Sequence, residues 1–336
     1  MSDVCVLGAG AWGLALALEL NKNGNNVTVW TKLESEAEML TNQRENTISL
    51  PGIKIPESIE ITTDIASAVH DKAIIVLAVA SKFIRSTSAT IRPYIKDKQI
   101  IVNVAKGIEE DTLMTMTDII SDELPTADVC VLSGPTHAEE VSRGLPTLCV
   151  VGAKSKTTAE LVQNAFMNDT FRIYISPDIL GIELGGSIKN VIALAAGMLD
   201  GVGFGDNSMA ALITRGMAEI TRLGVAMGAK IETLNGLSGV GDLIVTCQSQ
   251  HSRNRRAGKL MGQGLTREEA MAEVKQVVEG VYSAKAAKKL ATKYGVNMPI
   301  VNEVNAVLFE NKSMNEAIAS LMGRDRKSEI TDAEWR

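Results

Sequence analysis

The sequence predicts a doubly wound α/β domain with a mainly parallel sheet over residues 1–178, followed by an all-α domain over residues 179–336. Three observations predict it. Short apolar runs alternate with helical patterns through the first half, as strands do when helices cover both faces of their sheet. Beyond Ser176-Pro177-Asp178 strand patterns become scarce and helical periodicity takes over. The length of 336 residues suits two domains.

Candidate strands occupy residues 4–7, 26–30, 73–79, 99–104, 129–132, 147–151 and 171–175, with helical patterns between several of them, as at 12–23 and 157–167. Segment 44–56, with Asn46, Pro51, Gly52 and Pro56, reads as a loop insertion. In the second half, residues 179–200 are rich in Ala, Leu, Ile and Gly, the composition of a buried helix. Residues 208–227, 267–275, 282–294 and 298–309 repeat apolar side chains at helical spacing, and the glycine-rich stretches 201–205 and 236–241 interrupt them. Active sites commonly occupy the cleft between two such domains.

Hydrophobic residues make up 45% of the chain and charged residues 22%, which suits a packed core and speaks against disorder. No apolar run approaches the roughly 20 residues of a membrane helix. No cationic segment precedes the apolar residues 4–7, so neither a secretory leader nor membrane insertion is expected, and a cytoplasmic location is. A net charge of −6 argues against general nucleic-acid binding but permits a local basic pocket for a small anion. Cys5, Cys130, Cys149 and Cys247 form no C-x-x-C pair and read as buried thiols. His70, His137 and His251 are far apart, so no metal site is expected.

The segment VCVLGAGAWG places Gly8, Gly10 and Gly13 in a G-x-G-x-x-G pattern between a strand and an amphipathic helix, the context that gives the pattern meaning. Gly8 permits the tight turn, Gly10 lets the backbone approach a pyrophosphate, and Gly13 lets helix and strand pack closely. The helix start offers free N–H groups and a positive dipole end to the phosphates. These features predict a Rossmann domain binding a nicotinamide dinucleotide. An NAD site usually places Asp or Glu about 20 residues further on, to hold the ribose 2′-hydroxyl. This chain has Lys32 there. A cation can pair with the 2′-phosphate of NADP, which tilts the expectation toward NADP over NAD. The alternative is a solvated surface lysine, with Glu34 close enough to touch a ribose.

Three further segments concentrate polar residues among glycines. Asn103-Val104-Ala105-Lys106-Gly107 follows a candidate strand, and the carboxyl ends of parallel strands face the ligand crevice. Gly185-Gly186-Ser187-Ile188-Lys189-Asn190 lies inside an apolar helix, where a lysine either snorkels to water or is functional. Residues 239–247, beginning Gly-Val-Gly-Asp242, precede Ser252-Arg253-Asn254-Arg255-Arg256, a basic cluster that either binds phosphate or is a solvated helix start.

The motifs GAGAWG, NVAKGIE, SGPTHAEEV, GSIKNVIALAAGMLDG, NGLSGVGDLIVTC, SRNRRAG and VVEG occur in this order along essentially the whole chain. In this the chain resembles the NAD(P)-dependent glycerol-3-phosphate dehydrogenases of the bacterial biosynthetic type. The resemblance implies reversible reduction of dihydroxyacetone phosphate to sn-glycerol 3-phosphate, which in bacteria supplies glycerophospholipid synthesis. It implies that Lys189 donates the proton to the carbonyl, flanked by Lys106 and Asp242. Gly134, Thr136 and Asn190 would lie against substrate, and Ser252, Arg253 and Asn254 would bind its phosphate. On the cofactor side it implies Gly8, Gly10, Ala11, Trp12, Gly13, Lys32, Lys106, Ala138, Arg253, Val277 and Glu279. Position 11 is often Ser in that family. The Ala here loses any side-chain hydrogen bond and keeps the backbone N–H.

The chemistry agrees. Hydride arriving at a ketone carbon develops negative charge on oxygen, which a positioned ammonium stabilises and protonates. Acting as a base in reverse favours a lysine pKa below its ordinary value of about 10.4. Apolar surroundings and Lys106 lower it, while Asp242 opposes them. No metal is required. The nearest alternative is another lysine-using β-hydroxyacid dehydrogenase acting on a carboxylate, against which SRNRR and GVGDLIVTC favour a phosphate. The second is a non-enzymatic NADP-sensing protein on the same fold. The Lys106, Lys189 and Asp242 set argues against that, because a sensor has no use for a proton donor. The apolar helical half suggests a homodimer.

Overall fold

The computed structural model describes residues 2–326 and 329, so residues 327, 328 and 330–336 of the expected helical domain, and Met1 at the start of the first domain, lie outside the described residues. Strands β1 (Asp3–Leu7), β2 (Asn26–Trp30), β3 (Ile59–Thr62), β4 (Ile74–Leu77), β5 (Ile100–Asn103), β6 (Asp128–Ser133), β7 (Thr147–Ala153) and β8 (Phe171–Ser176) form one sheet in the order β3-β2-β1-β4-β5-β6-β7-β8. Every neighbouring pair is parallel except β6 and β7, where Cys130 lies opposite Ala153 and Ser133 opposite Val150. Seven strands fall on the predicted runs. The edge strand β3 was not expected, since Ile59-Glu60-Ile61-Thr62 alternates over too few residues to stand out beside the preceding loop.

Side chains alternate between the two sheet faces along each strand. Val4 and Val6 enter a core with Leu14, Leu20 and Phe166, while Cys5 and Leu7 enter another with Ile75, Ile101 and Ile119. The covering helices are α1 (Ala11–Lys22), α2 (Glu34–Gln43), α3 (Ile65–Val69), α4 (Ile84–Ile91), α5 (Met116–Glu123), α6 (Ala138–Val141) and α7 (Lys156–Phe166). The chain reverses strand order at β1, between β2 and β4, which places the ligand crevice beyond the carboxyl ends of those strands.

The second half comprises α8 (Ile179–Val202), α9 (Asp206–Met227), α10 (Ile231–Leu234), a π-helical turn at Leu237–Gly241, α11 (Asp242–Gln248), α12 (Arg253–Gly262), α13 (Arg267–Val274), α14 (Glu279–Lys293), α15 (Pro299–Phe309) and α16 (Met314–Met322). Helix α8 is its axis, and α9, α11, α12 and α14 pack around it. It corrects one sequence expectation. By length and composition α8 could cross a membrane, yet 89% of its most apolar stretch is buried within the protein. A helix enclosed on all sides is apolar all round for the same reason a membrane helix is.

Helices α8 and α12 touch through main chain. A Cβ at Gly197 would lie 2.0 Å from the carbonyl oxygen of Arg255, and one at Gly201 2.3 Å from that of Lys259. In return, a Cβ at Gly258 would lie 2.0 Å from the carbonyl oxygen of Leu194, and one at Gly262 2.4 Å from that of Met198. No other residue fits at these four positions without separating the helices.

Candidate active site

The dinucleotide cradle follows β1. Gly8 adopts φ +123°, a conformation that disfavours L side chains, and a Cβ there would lie 2.8 Å from the carbonyl oxygen of Ala78 at the end of β4. A Cβ at Gly13 would lie 2.0 Å from the Gly8 carbonyl oxygen. At Gly10 the space is open, and this residue caps α1 without any side-chain hydrogen bond. The helix N–H groups behind Ala11 and Trp12 therefore have no side-chain acceptor, which fits a pyrophosphate. Lys32 stands exposed just past β2, and among the described residues it has no hydrogen bond or ion pair. Across the crevice, in the turn after β4, the hydroxyl of Ser81 donates to Glu279 at 2.6 Å, at the start of α14 just beyond Val277. Burial pushes the Glu279 carboxyl above its ordinary range.

The centre of the site is a carboxylate shared by two lysines. Lys189 does not snorkel. It is 5% exposed in the middle of α8, and its Nζ donates to Asp242 Oδ1 at 2.6 Å and to Thr246 Oγ1 at 2.5 Å. Lys106, on the loop after β5, donates to Asp242 Oδ2 at 2.6 Å and to the Gly134 carbonyl oxygen at 3.1 Å. Thr136 closes the Gly134 turn through its hydroxyl at 3.2 Å, and Ala138 opens α6. Burial pushes the Lys189 ammonium down to about 8, and Lys106 acts in the same direction. The Asp242 charge opposes both and does not cancel them. Each ammonium has three N–H donors and spends two on protein, so each keeps one for a ligand.

A second group lies at the start of α12. Asn254 Nδ2 donates to Asn190 Oδ1 at 3.0 Å, and Asn254 Oδ1 accepts the Gly280 N–H at 2.8 Å, so one amide joins α8, α12 and α14. Ser252 caps α12 by accepting the Arg255 N–H at 3.2 Å. Of the three arginines, Arg255 is held by Asp200 at 2.8 Å. Arg253 and Arg256 are exposed and, among the described residues, unpaired.

The structure thus bonds Lys106, Gly134, Lys189 and Asp242 into one cluster and links Asn190 to Asn254. Lys32 stands apart at the end of β2, with no bond to the other predicted residues. Two residues escaped the sequence reading. Thr246 is one helical turn after Asp242, and the i, i+4 spacing within DLIVT was the available signal. His137 precedes α6 with its Nε2 buried and, among the described residues, without a partner. Burial and the nearby Lys189 charge hold its imidazole below the usual histidine range.

The chain matches family models over both halves. Residues 3–159 match the N-terminal domain of NAD-dependent glycerol-3-phosphate dehydrogenase, and residues 178–319 match the C-terminal domain. A glycerol-3-phosphate dehydrogenase [NAD(P)+] of Agathobacter rectalis is 60% identical over 336 residues, covering 100% of both chains. One from Bacillus subtilis is 49% identical over 335 residues, covering 99% of this chain and 97% of its own. The crystal structure of the Coxiella burnetii glycerol-3-phosphate dehydrogenase superimposes with a TM-score of 0.93 at 33% identity, covering 96% of this chain and 99% of that one. With cradle, shared carboxylate and arginine-bearing helix start in place, the chain belongs to the NAD-dependent glycerol-3-phosphate dehydrogenase family.

Proposed function

We propose that this protein catalyses the reversible NAD(P)H-dependent reduction of dihydroxyacetone phosphate to sn-glycerol 3-phosphate. One observation carries the reading: two lysines share a single buried carboxylate, and each retains one unspent N–H. A ketone oxygen placed between them meets two donors as it gains charge, beside the buried Lys189 and Asp242. Lys189 gives its proton to that oxygen and recovers it in the reverse direction. Asp242 and Thr246 fix where its Nζ sits, and Lys106 holds the oxygen from the other side. The dinucleotide, held by Gly8, Gly10, Ala11, Trp12, Gly13, Lys32, Ala138, Val277 and Glu279, supplies the hydride when bound.

The start of α12 suits the substrate phosphate. Ser252, Arg253 with its exposed guanidinium, and Asn254 occupy the first positions of one helix, where dipole and charge both favour an anion. A carboxylate substrate would leave much of this capacity unused. We take residues 1–178 as the cofactor domain and 179–336 as the substrate domain. A cytoplasmic location, where phosphorylated intermediates and reduced nicotinamide are available, and a role in supplying glycerophospholipid synthesis belong to the same proposal. The test is oxidation of NADPH and NADH followed at 340 nm with dihydroxyacetone phosphate, dihydroxyacetone or a β-keto acid as acceptor. Turnover confined to the phosphorylated ketone is expected. Turnover of the keto acid alone would overturn the reading.

A further inference from the structure

Helix α8 carries two polar side chains two and six residues before Lys189, and neither belongs to the substrate or cofactor sets above. Glu183 is 5% exposed and Ser187 1% exposed. Spaced by four residues, they lie on one face of α8. Both reach the same loop. Glu183 Oε1 accepts from Asn103 Nδ2 at 3.2 Å, at the end of β5. The Ser187 hydroxyl donates to the Gly107 carbonyl oxygen at 3.1 Å. Residues 103–107 are therefore gripped from α8 at both ends, and Lys106 lies between the grips.

We propose that Glu183 and Ser187 form a brace that sets the position of Lys106 against Asp242, making both positioning residues for the reaction proposed above, on which this inference rests.

The loop's own bonding shows how the brace acts. Asn103 shapes the turn by donating through Nδ2 to the Ala105 carbonyl oxygen at 3.0 Å and accepting the Ala105 N–H at Oδ1 at 3.0 Å. Glu183 fixes the amide that makes this turn. It also accepts the Thr117 N–H at 2.9 Å, at the start of α5, and the Thr117 hydroxyl, so it is anchored to the first domain by more than Asn103. Between the two grips the lysine stem runs along α8: a Cβ at Gly186 would lie 3.5 Å from Lys106 Cδ. Lys189 rides on the same helix six residues after Glu183. The brace therefore couples the two ammoniums that meet on Asp242: one is carried by α8, and the other is held in place by it. Burial pushes the Glu183 carboxyl up to about 7, against the hydrogen bonds it accepts. A buried acid retained at that cost has a structural partner to hold, and the partner here is the loop bearing Lys106.

The brace makes an electrostatic prediction that a merely stabilising role would not. Asp242, Lys106, the Cys247 thiol and the neighbouring His137 are the titratable groups bearing on Lys189. Lys106 lowers the Lys189 pKa, so a Lys106 that drifts away should let it rise.

The experiment compares wild type with Ser187→Ala, Glu183→Gln and Glu183→Ala. Dihydroxyacetone phosphate reduction is measured from pH 6 to 10, and the Lys189 Nζ titration is followed by NMR on 15N-lysine-labelled protein. Ser187→Ala should lower kcat about 10-fold, within the range that sub-ångström displacement of a catalytic group produces. It should also raise the Lys189 titration by about half a pH unit or more. Glu183→Ala should do more of both. Glu183→Gln should recover most of the rate, because its amide oxygen can still accept from Asn103 and Thr117. If wild type turns over and Ser187→Ala matches it in kcat and in titration, the brace is wrong, even if Glu183→Ala fails to fold. If wild type does not reduce the ketone, the proposed reaction fails. The NMR titration of Ser187→Ala then decides the brace alone: an unmoved Lys189 overturns it.

Discussion

Lys189 holds one oxygen of the Asp242 carboxylate at 2.6 Å, and the other oxygen of that same group is taken at 2.6 Å by Lys106. One negative charge thus serves two positive ones, and the buried cluster is net cationic before substrate enters. Of the two neighbours only Lys106 pulls in the same direction as burial, which lowers the Lys189 pKa to about 8 against the opposing Asp242 charge.

The first prediction is a pair of opposed pH profiles. Reduction needs protonated Lys189, so its kcat should fall as pH rises through about 8. Oxidation of glycerol 3-phosphate needs the neutral amine and should rise through the same value. Asp242→Asn removes the attraction that supports the charged form and should shift both limbs to lower pH. Profiles in both directions, with saturating cofactor, check the sign. Limbs near pH 10 would mean that Lys189 keeps its ordinary pKa.

Removing the ammonium is the second prediction. Lys189→Met keeps the length of an apolar stem and should lower kcat by about 10²-fold or more, the scale of a lost general acid. NADPH affinity, measured by quenching of protein fluorescence, should change little. Near-normal kcat in the variant would remove Lys189 from the mechanism.

Cofactor choice is the third. Lys32 is exposed just past β2 and, among the described residues, unpaired, which leaves it available to a 2′-phosphate. Lys32→Asp should shift the NADPH/NADH ratio of kcat/KM toward NADH by roughly 10-fold or more, the worth of one charge-assisted contact. An unchanged ratio would make it a surface lysine.

Arg253 provides the fourth. Because Asp200 already holds Arg255, Arg253 is the guanidinium in the first turn of α12 without a partner among the described residues. Arg253→Ala should reduce kcat/KM for dihydroxyacetone phosphate by roughly 10- to 100-fold, as loss of a remote binding anchor does. Arg253→Lys should recover part of it, since lysine lacks the planar fork. The variant should be less handicapped on unphosphorylated dihydroxyacetone. Equal fractional losses on both substrates would move phosphate recognition to its neighbours.

Stability furnishes the fifth. Gly258→Ala drives a methyl to within 2.0 Å of the Leu194 carbonyl oxygen, and main chain cannot rotate aside. The cost should exceed the roughly 1–3 kcal/mol typical of overpacking. A fall in Tm of several degrees, or insoluble expression, is expected. Gly264→Ala would be a poor control because Gly264 has φ +106°, whereas at Gly205 an added Cβ meets nothing within 4 Å, so Gly205→Ala should be tolerated.

Much of this was legible in the sequence, because the relevant signals are local. The glycines after β1 and the unbroken apolar strands act within a few residues, so the cradle and seven strands could be read directly. Helix α12 was less visible, since SRNRRAGKLMG carries few apolar residues and meets α8 through Gly258 and Gly262, whose role in packing no apolar pattern registers. The two-lysine grip on Asp242 joins residues 136 and 53 positions apart, a relation no window of sequence contains. His137 was passed over as an isolated histidine, because only the fold shows its Nε2 without a partner.

The four glycines between α8 and α12 set how far apart two chemical tasks are performed. Lys189 lies eight residues before Gly197 on one helix, and Arg253 five residues before Gly258 on the other. Gly258 meets α8 at Leu194, five residues after Lys189, so with a rise of about 1.5 Å per residue each group stands about 7.5 Å along its helix from that contact, on arms that are rigid helix. The crossing itself is backbone against backbone, with no rotamers to adjust. On the proposed assignment of Lys189 and Arg253, the two helices act as the jaws of a fixed caliper that measures a phosphorylated ketone by its length before any of its atoms react.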